Sequence, residues 1–491
     1  MSHGAMPLAS TDPDRHARRL VAAFALVAAA ACGPFAGLLA NGTESAFLAA
    51  AALGAGAIAL RIGLARLDLA LLTANFAAIA FFTAIRHRST VAIDTAHPFY
   101  EWTLFRITLP ELLALAALLL TLLRGRTPTH ERATPGAAPG CFLAFLALAC
   151  AVGLARGTTL EACVRDGRKI AYVAVAHFLV VAIAAAPARR ERLLQGVALA
   201  LLAGGVATMV DWWASRGFHY RGFVRASVDV SDFLGSLALI AVPLALLRLG
   251  VARSRVACLL AVAVGAIATL CSFSRAAWCA SPIALAVVLL HPARTTRPAS
   301  RWLTLLIAAA ALAAPLLFSG VADQAFARFS ALFDPAGDPS VTYRVRELRG
   351  AAALALDHPL TGVGLGTQFD VAPALVDRRR NAETLVHHLF LWSALKAGLP
   401  GLLLVGGALT AVVVSLSRSA RRCIEPRHAA LALGLLGLLV GFIVIGQIGA
   451  MLNQARTAFL LGAVTGLART LAVARERPAL VDADGGSGNR P

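Results

Sequence analysis

The chain has 491 residues, a length that suits about three ordinary soluble domains. Its composition excludes them, because 58% of the residues are hydrophobic, only 14% are charged, and the mean hydropathy is +0.74. A soluble domain is roughly a quarter charged, so this chain lacks the polar surface to cover itself in water. The formal net charge is nevertheless +19, and the position of that charge relative to a membrane has to be explained.

Fourteen apolar segments are candidates for membrane-spanning helices, since a span needs about twenty mainly apolar residues. They lie near 20–40, 45–60, 68–85, 107–123, 140–155, 170–186, 193–213, 232–248, 256–272, 277–291, 302–318, 399–417, 428–447 and 456–473. The sequence therefore predicts an all-α polytopic membrane protein with 12–14 transmembrane helices, an even number, and one long extracytoplasmic loop containing short helices.

Basic clusters set the predicted orientation, because Lys and Arg favour short cytoplasmic loops. Such clusters fall on alternate connections, on the same side as the N-terminus and the C-terminal tail. Both termini are therefore expected in the cytoplasm. The predicted parts are a cytoplasmic tail (1–19), a transmembrane bundle (20–318), an extracytoplasmic loop (319–386), C-terminal transmembrane helices (387–474) and a second cytoplasmic tail (475–491).

The opposite, extracytoplasmic face also carries many bases, 20 of the 45 in the chain. A single arginine there is most simply a solvated loop end or a side chain that snorkels to the interface. The whole set is harder to explain that way, since topology selection disfavours it. An anionic ligand at that face would account for it.

Several classes of function are disfavoured. None of the eight cysteines forms a C-x-x-C pair, so neither a zinc site nor a disulfide framework is indicated. We expect no metal and no cofactor. Acidic residues are scarce within the predicted spans, which disfavours an ion-coupled transporter. The predicted topology also argues against a nucleic-acid partner.

The long loop contains a predicted helix from 341 to about 357, because residues 338–340 are typical of a helix start and Pro359 follows its end. At helical spacing, Arg346 and Arg349 share one face, with Arg344 at the head of an apolar stripe. That stripe comprises Leu348, Ala352 and Ala355. The pattern suits an amphipathic helix at the membrane surface or, equally, a plain surface helix.

Beyond this helix, residues 361–366 predict a flexible, small-residue turn, and His387 and His388 lie where the chain re-enters the membrane. A neutral imidazole at this boundary can accept a proton from a hydroxyl group. The alternative is that one of the two histidines only caps or anchors the helix.

These segments resemble the O-antigen ligase/polymerase superfamily. The motifs that carry the resemblance are Arg344, then Asp357-His358-Pro359-Leu360-Thr361-Gly362-Val363-Gly364-Leu365-Gly366, His387-His388-Leu389-Phe390-Leu391, Gly398-Leu399-Pro400-Gly401, Ser274-Arg275-Ala276, and, more faintly, Arg225 with Ser231-Asp232-Phe233. At His388 the chain departs from the family, which more often has Asn there. The register favours His387 as the working histidine.

The resemblance implies an O-antigen ligase, a membrane glycosyltransferase of the bacterial inner membrane with its active site facing the periplasm. The implied donor is an undecaprenyl-diphosphate-linked glycan and the implied acceptor is lipid A–core. Arg275, Arg344, Arg346 and Arg225 would bind the diphosphate without a metal. His387, or His388, would take the proton of the acceptor hydroxyl, and direct displacement would invert the anomeric centre.

Three alternatives remain at this point. An O-antigen polymerase of the same superfamily commonly carries two large outer loops, whereas one is predicted here. A protein O-oligosaccharyltransferase of the superfamily often has a sizeable soluble C-terminal region. A membrane transporter or lipid flippase belongs to another class, and inverted internal repeats would support it.

Overall fold

The computed structural model describes residues 67–86, 109–123, 137–215, 218–220, 223–225, 230–272, 274–293, 339–367, 386–449, 452 and 454–484. These residues form twelve helices and a short antiparallel hairpin in which Phe218 lies opposite Arg225. The elements are α1 (Leu67–Arg86), α2 (Leu109–Leu123), α3 (Ala137–Ala155), α4 (Leu160–Ala184), α5 (Pro187–Ser215), β1 (Phe218–Tyr220), β2 (Phe223–Arg225), α6 (Val230–Arg248), α7 (Arg255–Cys271), α8 (Arg275–Leu290), α9 (Pro339–Asp357), α10 (Leu389–Arg422), α11 (Pro426–Gly446) and α12 (Ala455–Asp484).

The prediction of an all-α polytopic membrane protein is confirmed. In the described part of the chain, five helices are long and apolar enough to cross a membrane, namely α3, α4, α10, α11 and the part of α12 from Ala455 to Val473. Shorter apolar stretches occur in α2, α6, α7 and α8. The spans expected near 20–40, 45–60 and 302–318 lie outside the described residues, so the number of spans and the domain boundaries remain predictions.

Two helices begin about ten residues earlier than hydropathy predicts. Helix α4 starts at Leu160 because the Thr159 hydroxyl accepts a hydrogen bond from the backbone N–H of Ala162 at 3.3 Å. Helix α10 starts at Leu389 instead of near 399. The basic residues from 165 to 169, expected in a connection, therefore lie inside the first turns of α4.

Small residues let the helices approach closely. Helix α12 packs on α4, and a Cβ built on Gly462 or Gly466 would overlap the α4 backbone or its side chains. Their G-x-x-x-G spacing is a common device for close helix contact in membranes. The buried His177 of α4 is hydrogen-bonded to the Thr465 hydroxyl of α12 at 2.9 Å. Helix α11 packs similarly on α6 and α8 through Gly434 and Gly437.

Ion pairs and hydrogen bonds join several helices and their connections at one end of the bundle. Glu191 accepts hydrogen bonds from Arg253 and Arg427, which joins the first turns of α5 and α11 to the connection before α7. The buried Arg248 donates to the carbonyl oxygen of His291 at 2.8 Å, just after α8. The starts of α4, α8 and α10 lie at the other end, because successive helices alternate in direction. We call this other end, which carries His387, the histidine end.

Candidate functional site

The turn at residues 358–367 packs its glycine-rich part into the histidine end, so the expectation of a flexible turn is wrong. Residues 362–366 are all buried. The backbone N–H of Leu365 donates to the carbonyl oxygen of Ala149 in α3 at 2.9 Å, and that of Gly366 donates to Oδ2 of Asp166 in α4 at 3.1 Å. Gly364 adopts a φ of 86°, which favours glycine, and its Cα lies against the backbone of Gly153.

The same turn fills a break in α10. Ala397 and Gly398 have non-helical backbone angles, which leaves backbone groups of α10 without their helical partners. The turn supplies partners in three backbone hydrogen bonds: Val363 N–H to the Leu395 carbonyl (2.7 Å), Gly364 N–H to the Lys396 carbonyl (3.1 Å) and Leu399 N–H to the Pro359 carbonyl (2.7 Å). The Gly-Val-Gly-Leu-Gly and Gly-Leu-Pro-Gly motifs therefore form one interlocked unit. We call it the turn–break unit.

Two buried charges support this unit, and the sequence interpretation did not single them out as a site. Asp166 is 5% exposed and Lys396 is fully buried, with its ammonium donating to the Thr367 carbonyl at 3.2 Å. Both lie inside helices, and Asp166 is roughly 9 Å along α4 from its start. The described helices therefore contain more buried ionisable groups than hydropathy indicates, which weakens the argument against a transporter.

Helix α9 presents one face to the bundle, but the face is shifted by one residue from the predicted stripe. Glu347 and Ala351 are buried, and Leu354 and Ala355 pack against the core. Arg346 and Arg349 are exposed, as expected. Glu347 was missed because its partner lies 40 residues later in the chain and is brought to it only by tertiary packing. Its spacing, three residues after Arg344 and four before Ala351, could have indicated that Glu347 shares a helix face with both.

The packed face brings Glu347 to His387. The His387 Nδ1 lies 2.9 Å from Oε1 and 3.1 Å from Oε2 of Glu347, and its backbone N–H donates to Oε1 at 2.7 Å. Glu347 is 1% exposed, whereas the His387 side chain is 23% exposed. Among the described residues, the Nε2 of His387 has no hydrogen-bond partner. Nδ1 is thus held by Glu347, whereas Nε2 has no partner in the part of the chain that the structure describes.

His388 has a different environment although it is the next residue. Its Nδ1 accepts a hydrogen bond from the backbone N–H of Leu391 at 3.1 Å, and its backbone is extended (φ −147°, ψ 112°), so it is the N-cap of α10. Burial lowers the pKa of His388 from its usual value. An Asn side chain accepts the same hydrogen bond, which gives a physical reason for the Asn that the resembled family more often has here.

The predicted arginines occupy different places around this pair. Arg344 joins the group, with its Nη1 3.9 Å from Oε2 of Glu347. Arg346 is exposed and lies about 100° around α9 from Glu347. Arg275 is the first residue of α8 at the histidine end and is half-buried. Arg225 ends β2, and its side chain lies outside the described residues.

One comparison with known protein families finds a similarity in this part of the chain. Residues 259–406 match the family model described as O-antigen ligase. The matched range includes α8, α9, the turn–break unit and the start of α10, and therefore all of Arg275, Arg344, Glu347 and His387. A search of curated proteins found no match. Residues 259–406, with the site that they carry, are therefore similar to the O-antigen ligase family.

Proposed function

We propose that the protein is an O-antigen ligase that transfers a glycan from undecaprenyl diphosphate to lipid A–core at the periplasmic face of the bacterial inner membrane. The superfamily implies lipid-linked glycan substrates and a membrane setting. The apolar helices agree with that setting. The choice of donor carrier, acceptor and membrane face goes beyond the family match and is our proposal.

In the proposed reaction, His387 acts as the general base. An acceptor sugar hydroxyl attacks the anomeric carbon of the donor glycan, and its proton passes to the Nε2 of His387. The glycosidic bond to the acceptor forms as the bond from the anomeric carbon to the diphosphate oxygen breaks. Undecaprenyl diphosphate leaves with the electron pair, and the anomeric centre is inverted.

Arginines at the histidine end bind the diphosphate in this proposal. Guanidinium groups match phosphate oxygens in charge and in paired N–H geometry, so they stabilise a diphosphate as it leaves. Arg344 is the best supported, because it adjoins the pair of Glu347 and His387. Arg275, Arg346 and Arg225 are proposed as further contacts.

The observation that carries the proposal is the contrast between the two histidine rings. The Nδ1 of His388 already accepts the helix-capping hydrogen bond of α10. His387 is held at Nδ1 by Glu347 and is partly exposed, which leaves Nε2 available to a substrate hydroxyl. A base must lie within hydrogen-bond reach of the proton that it removes. The ring of His387 meets this requirement on the protein side, because its Nε2 has no hydrogen-bond partner among the described residues.

Deletion of the protein in its native host tests the type of transfer. The ligase proposal predicts that polymerised glycan accumulates on its lipid carrier while the lipopolysaccharide lacks it. Reintroducing the wild-type chain should restore the glycan on lipid A–core. Accumulation of a single unpolymerised repeat would instead indicate a polymerase, and loss of glycan from proteins alone would indicate an oligosaccharyltransferase. Either result would contradict the proposal.

A further inference from the structure

Glu347 is a buried carboxylate in a position where burial is costly. Acidic side chains are rarely fully buried unless they are paired, since burial of an unpaired charge is strongly unfavourable. The carboxylate of Glu347 is 1% exposed and contacts both the ring and the backbone of His387, which lies 40 residues later in the chain. The contact therefore joins α9 to the start of α10.

The chemistry of the carboxylate determines where the proton of His387 resides. An ionised carboxylate only accepts hydrogen bonds. Both of its oxygens lie within 3.1 Å of the Nδ1 of His387, so Nδ1 carries the proton of the neutral ring. The Nε2 is then unprotonated and is the nitrogen able to receive a proton.

The backbone contact fixes the residue as well as the ring. The N–H of His387 donates to Oε1 of Glu347 at 2.7 Å, two residues before α10 begins. Helix α9 leads directly into the turn–break unit, whose hydrogen bonds hold it against α10. Glu347 and His387 therefore lie on two segments that the turn–break unit holds together.

We propose that Glu347 is a positioning residue that sets the tautomer and orientation of His387 and stabilises the imidazolium formed on proton transfer. Carboxylates play this part in other histidine bases, where replacement by the amide gives the wrong tautomer. This inference rests on the proposed function, because it assigns Glu347 a role through His387.

The test is Glu347→Gln in the full-length protein. Gln keeps the size of the side chain, and its carbonyl oxygen can still accept from the backbone N–H of His387. Its NH₂ group takes the place of Oε2, 3.1 Å from Nδ1, and the side chain carries no negative charge. The amide therefore holds the Nδ1 proton less firmly than the carboxylate does and no longer stabilises the imidazolium. We expect kcat for glycan transfer to fall by roughly 10²–10⁴-fold, with KM for the lipid-linked donor little changed. Glu347→Asp, which retains the carboxylate, should recover part of kcat.

A spectroscopic measurement separates positioning from a purely structural role. In ¹⁵N-histidine-labelled protein, the His387 signals are identified by their loss in His387→Ala. The neutral ring should carry its proton on Nδ1 in the wild type, and a measurable share of it should move to Nε2 in Glu347→Gln. Glu161→Gln, at an exposed glutamate of the histidine end, is the matched control and should change neither kcat nor the tautomer.

The outcomes distinguish this inference from the proposed function. A His387 tautomer ratio in Glu347→Gln equal to that of the wild type, or wild-type kcat in that variant, would overturn the role of Glu347. Equal loss of kcat in Glu347→Asp and Glu347→Gln, with the tautomer unchanged, would do so as well. Wild-type kcat in His387→Ala would overturn the proposed function itself.

Discussion

His387 and His388 are neighbours in the chain, yet their rings contact different partners. The His387 ring is held by a carboxylate from α9, whereas the His388 ring is held by the backbone of α10. The difference follows from the extended backbone at the start of α10, because successive side chains of an extended segment point in opposite directions. One histidine therefore belongs to the helix and the other to the proposed site.

His388→Ala should destabilise the protein by about 1 kcal/mol at pH 8, because it removes the N-cap of α10. His388→Asn should stay close to the wild type, since Asn accepts the same hydrogen bond. Thermal unfolding in detergent measures both. A His388→Ala variant as stable as the wild type would contradict the capping role.

The same residue predicts a dependence of stability on pH. Burial lowers the folded-state pKa of His388, so the unfolded chain binds a proton first as the pH falls. This contribution to stability is fully present above about pH 6.5 and is lost as the pH falls from there through the lower folded value. His388→Asn removes this titration. As the pH is lowered from 7.5 to 5, the stability of the variant should therefore rise relative to that of the wild type. A difference independent of pH would contradict the assignment.

At the scale of elements, the turn–break unit determines how α9 and α10 meet. A break in a helix within a membrane is tolerated where other protein groups satisfy the freed backbone. Here the turn forms hydrogen bonds with backbone groups on both sides of Gly398. On its other side, the turn is hydrogen-bonded to α3 and α4. The unit holds α9 and α10 together, and so holds Glu347 near His387, although in the described part of the chain no hydrogen bond joins it to either side chain.

Gly153→Ala tests the unit without touching the proposed site. A Cβ on Gly153 would overlap the carbonyl oxygen of Leu365, whereas a Cβ on Gly140 in the same helix meets nothing within 4 Å. We expect Gly153→Ala to cost roughly 1–3 kcal/mol of stability by overpacking and to lower the transfer rate. Gly140→Ala, the control, should be neutral or slightly stabilising. Equal melting temperatures and rates in the two variants would contradict the importance of the unit.

The sequence predicted the described helices better than their ends. Hydropathy places the start of α4 near 170, because Arg165, Arg168 and Lys169 resemble a loop, but the Thr159 cap starts the helix ten residues earlier. The glycine turn was located correctly, but its burial depends on contacts with Ala149 and Asp166, about 200 residues away. Glu347 was missed for the same reason, since its partner is fixed only by tertiary packing.

For the whole molecule, the two ends of the bundle use positive charge differently. At the end opposite the histidine end, Arg253 and Arg427 pair with Glu191, and Arg248 is bound to backbone carbonyls, so these bases join elements of the bundle. At the histidine end, Arg168 also pairs with the buried Glu111, whereas Arg344 adjoins the carboxylate that holds His387. Part of the net charge of +19 therefore joins elements at both ends, and Arg344 is the described base that adjoins the site of the proposed anionic substrate.

Glycan transfer in a purified system tests the central claim most directly. Wild type, His387→Ala and the control His388→Asn would be supplied with undecaprenyl-diphosphate-linked glycan and lipid A–core, and the initial rate of glycan attachment measured. Loss of a general base lowers rates by about 10²–10⁴-fold, so His387→Ala should fall by that factor while His388→Asn keeps most of the activity. Wild-type rates in His387→Ala, or no transfer to lipid A–core by the wild type, would contradict the account.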